Sequence, residues 1–222
     1  VNAINTVYFN DEALTLNGSG DVTAGNFSGK ASVRKYTGTS TQTVDSILNA
    51  AITEWDSDHR GRGIAYLALR YTFDQEVYRN GKPDVTCIVQ GKKCYDPRLD
   101  TSPGANPTNA TYAAYTTNPA LCLADYIMAA YGLSESGSRI DWAAVVTAAN
   151  ICDENVAIPG STTQKRYTCN LVLEATAEFE NNIQAITQAM MGACYYSGGK
   201  WRMSAGAWST PAFSLNESDI IG

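Results

Sequence analysis

The stretch Thr86–Arg98, TCIVQGKKCYDPR, sets two β-favouring runs on either side of Gly91-Lys92. That pattern reads as a hairpin with a two-residue turn. The register pairs Gln90 with Lys93, Val89 with Cys94 and Ile88 with Tyr95. Cys87 and Cys94 then share a face but stand diagonally, about 7–8 Å apart, which is too far for an unstrained disulfide. A zinc knuckle brings its two thiolates closer in sequence, as C-x₂₋₄-C, and the chain's only histidine is His59. The stretch is therefore expected to be a hairpin whose cysteines face a core.

On the N-terminal side, Ile4–Phe9 and Ala31–Tyr36 read as strands, separated by a Gly/Asn/Ser-rich run that reads as loops. Val44, Ile47, Leu48, Ala51 and Ile52 recur at helical spacing behind a Ser/Thr-rich entry that can cap. Ala65, Leu67, Leu69, Tyr71 and Phe73 alternate along Gly63–Asp74, and a turn at Arg79–Pro83 follows. With Thr86–Arg98 these predict a β-meander. The segment Thr101–Thr116 carries Pro, Gly, Asn and Thr without periodicity and is the main expected loop.

The C-terminal side is helix-led. Thr116–Leu133 has Asn118 at an N-cap, Pro119 at the first helical position and Gly132 as a left-handed stop. A second helix is expected near Asp141–Asp153, with Trp142, Val145, Val146, Ala149 and Cys152 on one face, and Lys165–Ala175 reads as a strand. A third helix carries Phe179, Ile183, Ile186 and Met190 and ends at Gly192. Cys194–Met203 is a hairpin turning at Gly198-Gly199. The expected fold class is α+β, as residues 1–100 (β-rich) and 101–222 (three helices, a strand and a hairpin).

Composition narrows the function. The 222 residues suffice for one large domain or two small ones. Lys and Arg number 16 against 22 Asp and Glu, a net charge of -6, which argues against a chain that grips phosphate backbones. No apolar run approaches the roughly 20 residues needed to cross a bilayer. No signal peptide is visible, but the chain starts at Val1 and ends Asp-Ile-Ile-Gly, so it reads as an excised segment. The six cysteines, Cys87, Cys94, Cys122, Cys152, Cys169 and Cys194, sit mostly in apolar runs and are expected to be reduced core residues. Sequons at Asn26, Asn109 and Asn216 would matter only after secretion by a eukaryote.

Reactive constellations are scarce. His59 lies in a polar turn and reads as a surface residue, with no GxSxG motif elsewhere. Gly61-Arg62-Gly63 lacks the third glycine and the following helix of a dinucleotide site, and there is no Walker A sequence. Asp125, Asp153 and Glu154 could act as acid and base, but helix carboxylates are usually solvated. Phe179–Met203 has the helix-then-hairpin outline of a winged helix. Its helix holds no Lys or Arg to read DNA. No catalytic, cofactor-binding or metal-binding residue is assigned, and no cofactor is expected.

Five stretches taken together, HRGRGIAYLALRYTFD, GKPDVTCIVQGKKCYDPR, YTTNPALCLADYIM, RYTCN and GGKWRMSAGAW, resemble the central hub or tail-tip proteins of long-tailed bacteriophages, the host-specificity protein J type. The best markers are GKKCYDPR and NPALCLADYIM, and the likeness is weakest over the first 40 or so residues. The resemblance implies a structural, non-enzymatic segment, similar to baseplate-hub and VgrG-like proteins, at the tail tip of a phage or prophage virion made in the bacterial cytoplasm. It implies a homotrimeric, pseudo-sixfold ring around the tail channel. Partners would be the distal tail ring and the tape measure, DNA would pass without specific binding, and the segment would not touch a membrane. The family position equivalent to Cys94 is commonly a plain apolar residue, and no catalytic residue carries over. The competing classes are a secreted carbohydrate-active hydrolase, which predicts paired cysteines and facing carboxylates, and a glycan-binding module with an exposed aromatic platform.

Overall fold

Alternation of apolar and polar side chains builds the first strands in the computed structural model, which describes residues 1–102, 106–208 and 216. The chain is mixed helix and small antiparallel sheets, an α+β composition. It divides into two units, Val1–Lys93 and Cys94–Gly222. The division lies ahead of the expected residue 100 because Cys94–Asp96 are anchored in the second unit, where the Asp96 N–H donates to the Tyr112 carbonyl at 2.9 Å.

In the first unit, β1 (Ala3–Phe9) turns through Asn10 and Asp11, both at positive φ, into β2 (Glu12–Ala13). Asn and Asp tolerate that left-handed backbone better than other non-glycine residues. β3 (Ala31–Tyr36) pairs antiparallel with β4 (Tyr66–Tyr71) from Ala31↔Tyr71 to Tyr36↔Tyr66. β5 (Val85–Gln90) pairs antiparallel with β1, giving the order β2-β1-β5, with a bulge between Ile4 and Val7. The expected meander is therefore wrong: β4 and β5 lie in different sheets, because β4 takes β3 and β5 takes the N-terminal strand. Val7, Phe9, Val22, Phe27, Ala31 and Val33 form the core, with Phe9 and Phe27 edge-to-face at 5.1 Å. Leu67, Leu69 and Tyr71 join it as expected, but the strand stops at Tyr71 and Phe73 is 83% exposed.

The helical spacing of Val44–Ile52 produces a shorter helix, α1 (Ser46–Ala51), which buries none of its residues. Its cap is Asp45, which is fully buried. Asp45 Oδ1 accepts from the Ile47 and Leu48 N–H groups, while Oδ2 accepts from the Tyr36 hydroxyl at 2.7 Å. Burial, then the bond to Asp45, pushes the Tyr36 phenol up to about 12.

The boundary falls within β6 (Lys93–Tyr95), which pairs with β7 (Ala113–Tyr115) and not with β5. The hairpin expected across Gly91-Lys92 is thus corrected. Its two halves find different partners, Cys87 is exposed on β5, and Cys94 is buried. Then come α2 (Pro119–Met128), α3 (Trp142–Asp153), the hairpin β8 (Asn155–Ile158) and β9 (Thr162–Lys165), α4 (Phe179–Ala189), and the hairpin β10 (Ala193–Ser197) and β11 (Lys200–Ser204). Leu121, Leu123, Ala124, Ile127, Val145, Ala149, Ile186 and Met190 fill one core.

Three local expectations for this unit change. The strand expected over Lys165–Ala175 is absent: single bonds pin that segment, Tyr167 N–H to the Cys152 carbonyl and Cys169 N–H to the Thr117 carbonyl. Gly132 is not left-handed. A Cβ there would meet the Tyr126 carbonyl oxygen at 1.9 Å, so it is close approach that requires glycine. Gly192 is likewise needed against the Ser204 carbonyl, while Met191 takes the positive φ after α4. The turn at Gly198-Gly199 is as expected, with both residues at positive φ.

Candidate functional site: an ion-pair brace and a thiol cluster

The N-terminus of α2 meets the C-terminus of α3, and the second unit's polar chemistry gathers there. Asn118 joins the two ends. Its Oδ1 accepts from the Ala120 and Leu121 N–H groups, and its Nδ2 donates to the Ala149 carbonyl at 2.9 Å. Pro119 follows, where its fixed φ suits a helix start.

The Tyr95-Asp96-Pro97-Arg98 run packs against this junction. Arg98 Nε donates to Asp96 Oδ1 at 2.9 Å and Nη2 to Oδ2 at 2.7 Å, a two-pronged fit. The same Nη2 lies 2.8 Å from Asp153 Oδ2 at the end of α3, and Lys165 Nζ holds Asp153 Oδ1 at 2.8 Å. Burial works to raise the Asp153 carboxyl, but bonds from Lys165, Arg98 and Asn118 outweigh it and hold it below the usual range. Its partner Asp96 raises Arg98 further, against burial. The Tyr95 hydroxyl donates to Asp100 Oδ2 at 2.6 Å. Ser102 first, then Tyr95 and the Asn106 N–H, hold Asp100 well below the carboxylate range.

Cys122 stands on α2 and, like Cys169, packs against the core that holds Cys94. Its Sγ also faces the Thr116 carbonyl at 3.9 Å, while the Cys169 N–H holds the next carbonyl, Thr117, at 2.7 Å. The neighbouring Cys169 first, then Cys94 and burial, push the Cys122 thiol up. Cys122 in turn makes Cys169 more acidic than an ordinary thiol, against the effect of burial. Burial alone pushes Cys194 up to about 11, and it is the main cause that does the same for Cys152. Among the described residues, which include all six cysteines, no disulfide is formed and no group of three His, Cys, Asp or Glu is placed to hold a metal ion.

The carboxylates singled out for acid–base work are not brought together as a pair. Asp153 and Glu154 are held by cations, Glu154 by Arg166 at 2.9 Å. Asp125 sits about two turns further along α2 than Asn118 and accepts from the Tyr131 hydroxyl at 3.5 Å. His59 is exposed, stacks on Trp55 and lies 2.9 Å from Asp56 Oδ1. Sequence reasoning missed both the brace and the thiol cluster. The Asp-x-Arg spacing of Asp96 and Arg98 was a usable signal for a local pair. Nothing in sequence signals that Cys94, Cys122 and Cys169 converge, since fold alone brings them together.

No family model matches the chain, and no curated protein matches it. No helix among the described residues is long and apolar enough to cross a membrane.

Proposed function

We propose that this chain is a structural, non-enzymatic segment of a phage or prophage tail-tip hub, belonging to a ring around the tail channel that binds other tail proteins. The first unit would be its β-rich hub module and the second its helical module with the closing hairpin. The observation that carries this reading is the brace. The motif central to the resemblance, Tyr95–Arg98, spends its charges internally on Asp96 and Asp153, and Tyr95 on Asp100. The two carboxylates a hydrolase would draw on at the end of α3 are held by Arg98, Lys165 and Arg166. β5 supports a partner-binding role, because it lies at the edge of its sheet with Ile88 and Val89 exposed, and exposed strand edges in working proteins are normally covered. In the hub these partners are further copies of the chain in a trimer, the distal tail ring and the tape measure, at the virion tail tip. DNA passes through the channel without specific contacts.

An antibody raised against the purified chain, applied to fractionated source culture, tests this. A native polypeptide far heavier than 23.9 kDa that sediments with tail particles is expected. A band of the chain's own mass, free in the medium and shifted by reductant, would sink the hub reading.

A further inference from the structure

We propose that the cleft beside loop 74–83 of the first unit binds a carboxylate-bearing saccharide of the hexuronic acid class, with Arg79 taking the carboxylate. The cleft has a volume of about 400 Å³, within the roughly 300–1,000 Å³ of small-molecule sites. Loop 74–83 lines it together with Asn10, from the turn between β1 and β2, and Phe27. The cations in this loop are unspent. Every other arginine is in an ion pair or, for Arg62, bonded to the Gln42 carbonyl. Arg79 and Lys82 have neither kind of partner among the described residues, although the chain carries a net charge of -6. The loop's own acid is unavailable to them, because Asp74 is held by Lys30 at 2.8 Å. The loop is also fixed before any ligand arrives. Asp74 Oδ1 accepts from the Glu76 and Val77 N–H groups, the Tyr78 hydroxyl donates to the Lys30 carbonyl at 2.6 Å, and the Gly81 N–H donates to the Tyr78 carbonyl at 2.9 Å.

The ligand class follows from what the walls offer. The planar fork of Arg79 matches a carboxylate, and Lys82 adds a second positive charge. Glu76 lines the same cleft, and its carboxylate has no partner among the described residues. A carboxylate there repels a bare phosphate or sulfate but accepts from hydroxyl groups. Asn80 and Asn10 supply neutral amides. Asn10 Oδ1 is already taken by the Asp84 N–H at 2.8 Å, which leaves its Nδ2 to donate. Phe27 and Pro83, both buried, give the lining an apolar patch for the carbon face of a ring. A sugar acid carries one carboxylate, several hydroxyls and an apolar ring face, and so meets each of these groups. The site does not depend on the hub reading.

The test titrates trigalacturonate into the folded, isotope-labelled chain and follows backbone amide shifts by NMR. Parallel titrations use its neutral methyl ester and inorganic phosphate at matched ionic strength. Trigalacturonate is expected to give saturable shifts confined to Asn10, Phe27 and loop 74–83, with the ester and phosphate giving none. Arg79→Met keeps the side-chain stem and should weaken binding by about 10-fold or more, the worth of a charge-assisted hydrogen bond. Its melting midpoint should match the parent's, since Arg79 holds nothing else in place. Glu76→Gln should also weaken binding, because a hydroxyl loses its charged acceptor. Any of four results overturns the proposal: no saturable shifts, equal shifts from phosphate or the ester, unchanged affinity in Arg79→Met, or tighter binding in Glu76→Gln. The three titrations of the parent chain need neither variant to fold.

Discussion

Replacing Arg98 by Met keeps its packing stem and deletes its charge. Arg98 is 23% exposed at its side chain, Asp96 12% and Asp153 28%. The substitution leaves Asp153 with Lys165 and strips Asp96 of its two-pronged partner. A hydrogen bond to a charged group contributes about 1.5–3 kcal/mol. Orphaning one member of a fully buried pair costs about 3–5 kcal/mol, and an exposed pair contributes about 0–1. The brace lies between these limits, so the expected loss is about 2–3 kcal/mol, or roughly 30–150-fold in the folding equilibrium. Urea unfolding and hydrogen exchange at β6, β7 and the last turn of α3 would read it. Arg98→Lys should lose most of the same energy, since an ammonium cannot match the planar fork. Asp96→Asn combined with Arg98→Met should cost less than the sum of the two single changes. A loss below about 0.5 kcal/mol, within the range of ordinary surface changes, or strict additivity in that cycle, would refute the reasoning.

Further expectations concern protons and caps. Asp153 has a lowered carboxyl in the fold, so its contribution is complete above the unfolded value of about 3.9 and drains away as pH falls through the lower folded value. An acid titration of stability should therefore be flatter below about pH 4 in Arg98→Met than in the parent. Tyr36 is the opposite case. Its phenol is raised to about 12, so the stability it confers is present below about pH 10 and is lost as pH rises through 12. NMR of ring-labelled tyrosine should find it among the last to ionise, and Asp45→Asn should bring it down; an unmoved titration would count against the buried Tyr36–Asp45 bond. Asn118→Ala should cost about 2–4 kcal/mol in thermal or urea unfolding, combining a lost cap of about 1 with an orphaned Ala149 carbonyl.

What could be read from sequence depended on the range of the forces. Asn118-Pro119, Gly198-Gly199 and the Asp141–Asp153 periodicity act within a few residues, and the elements form where they predict. Strand partners are different, because period-2 alternation says which face is buried and nothing about which strand lies alongside. So Val85–Gln90 was recognisable as a strand, while its pairing with β1, between residues 76 to 87 positions apart, was not. Gly132 reads from sequence as a left-handed stop and Gly192 only as a helix end, since a carbonyl pressed against the α-carbon leaves no local trace. The brace was half legible from Asp96-Pro97-Arg98, but its third member, Asp153, comes from the far end of α3.

The pairing of β1 with β5 has a mechanical consequence. Ala3 lies opposite Gln90, and the Asn2 side chain donates to the Gln90 side chain at 2.6 Å, so the first unit enters and leaves its own sheet at one point. Tension transmitted along the polypeptide would therefore load that point and pull the strands apart sideways. Antiparallel strands loaded at neighbouring ends unzip rung by rung, from Ala3↔Gln90 toward Phe9↔Val85, where strands loaded at opposite ends must break every rung together. The first unit would act as a weak link under axial load and leave the bonds around Phe9 until last.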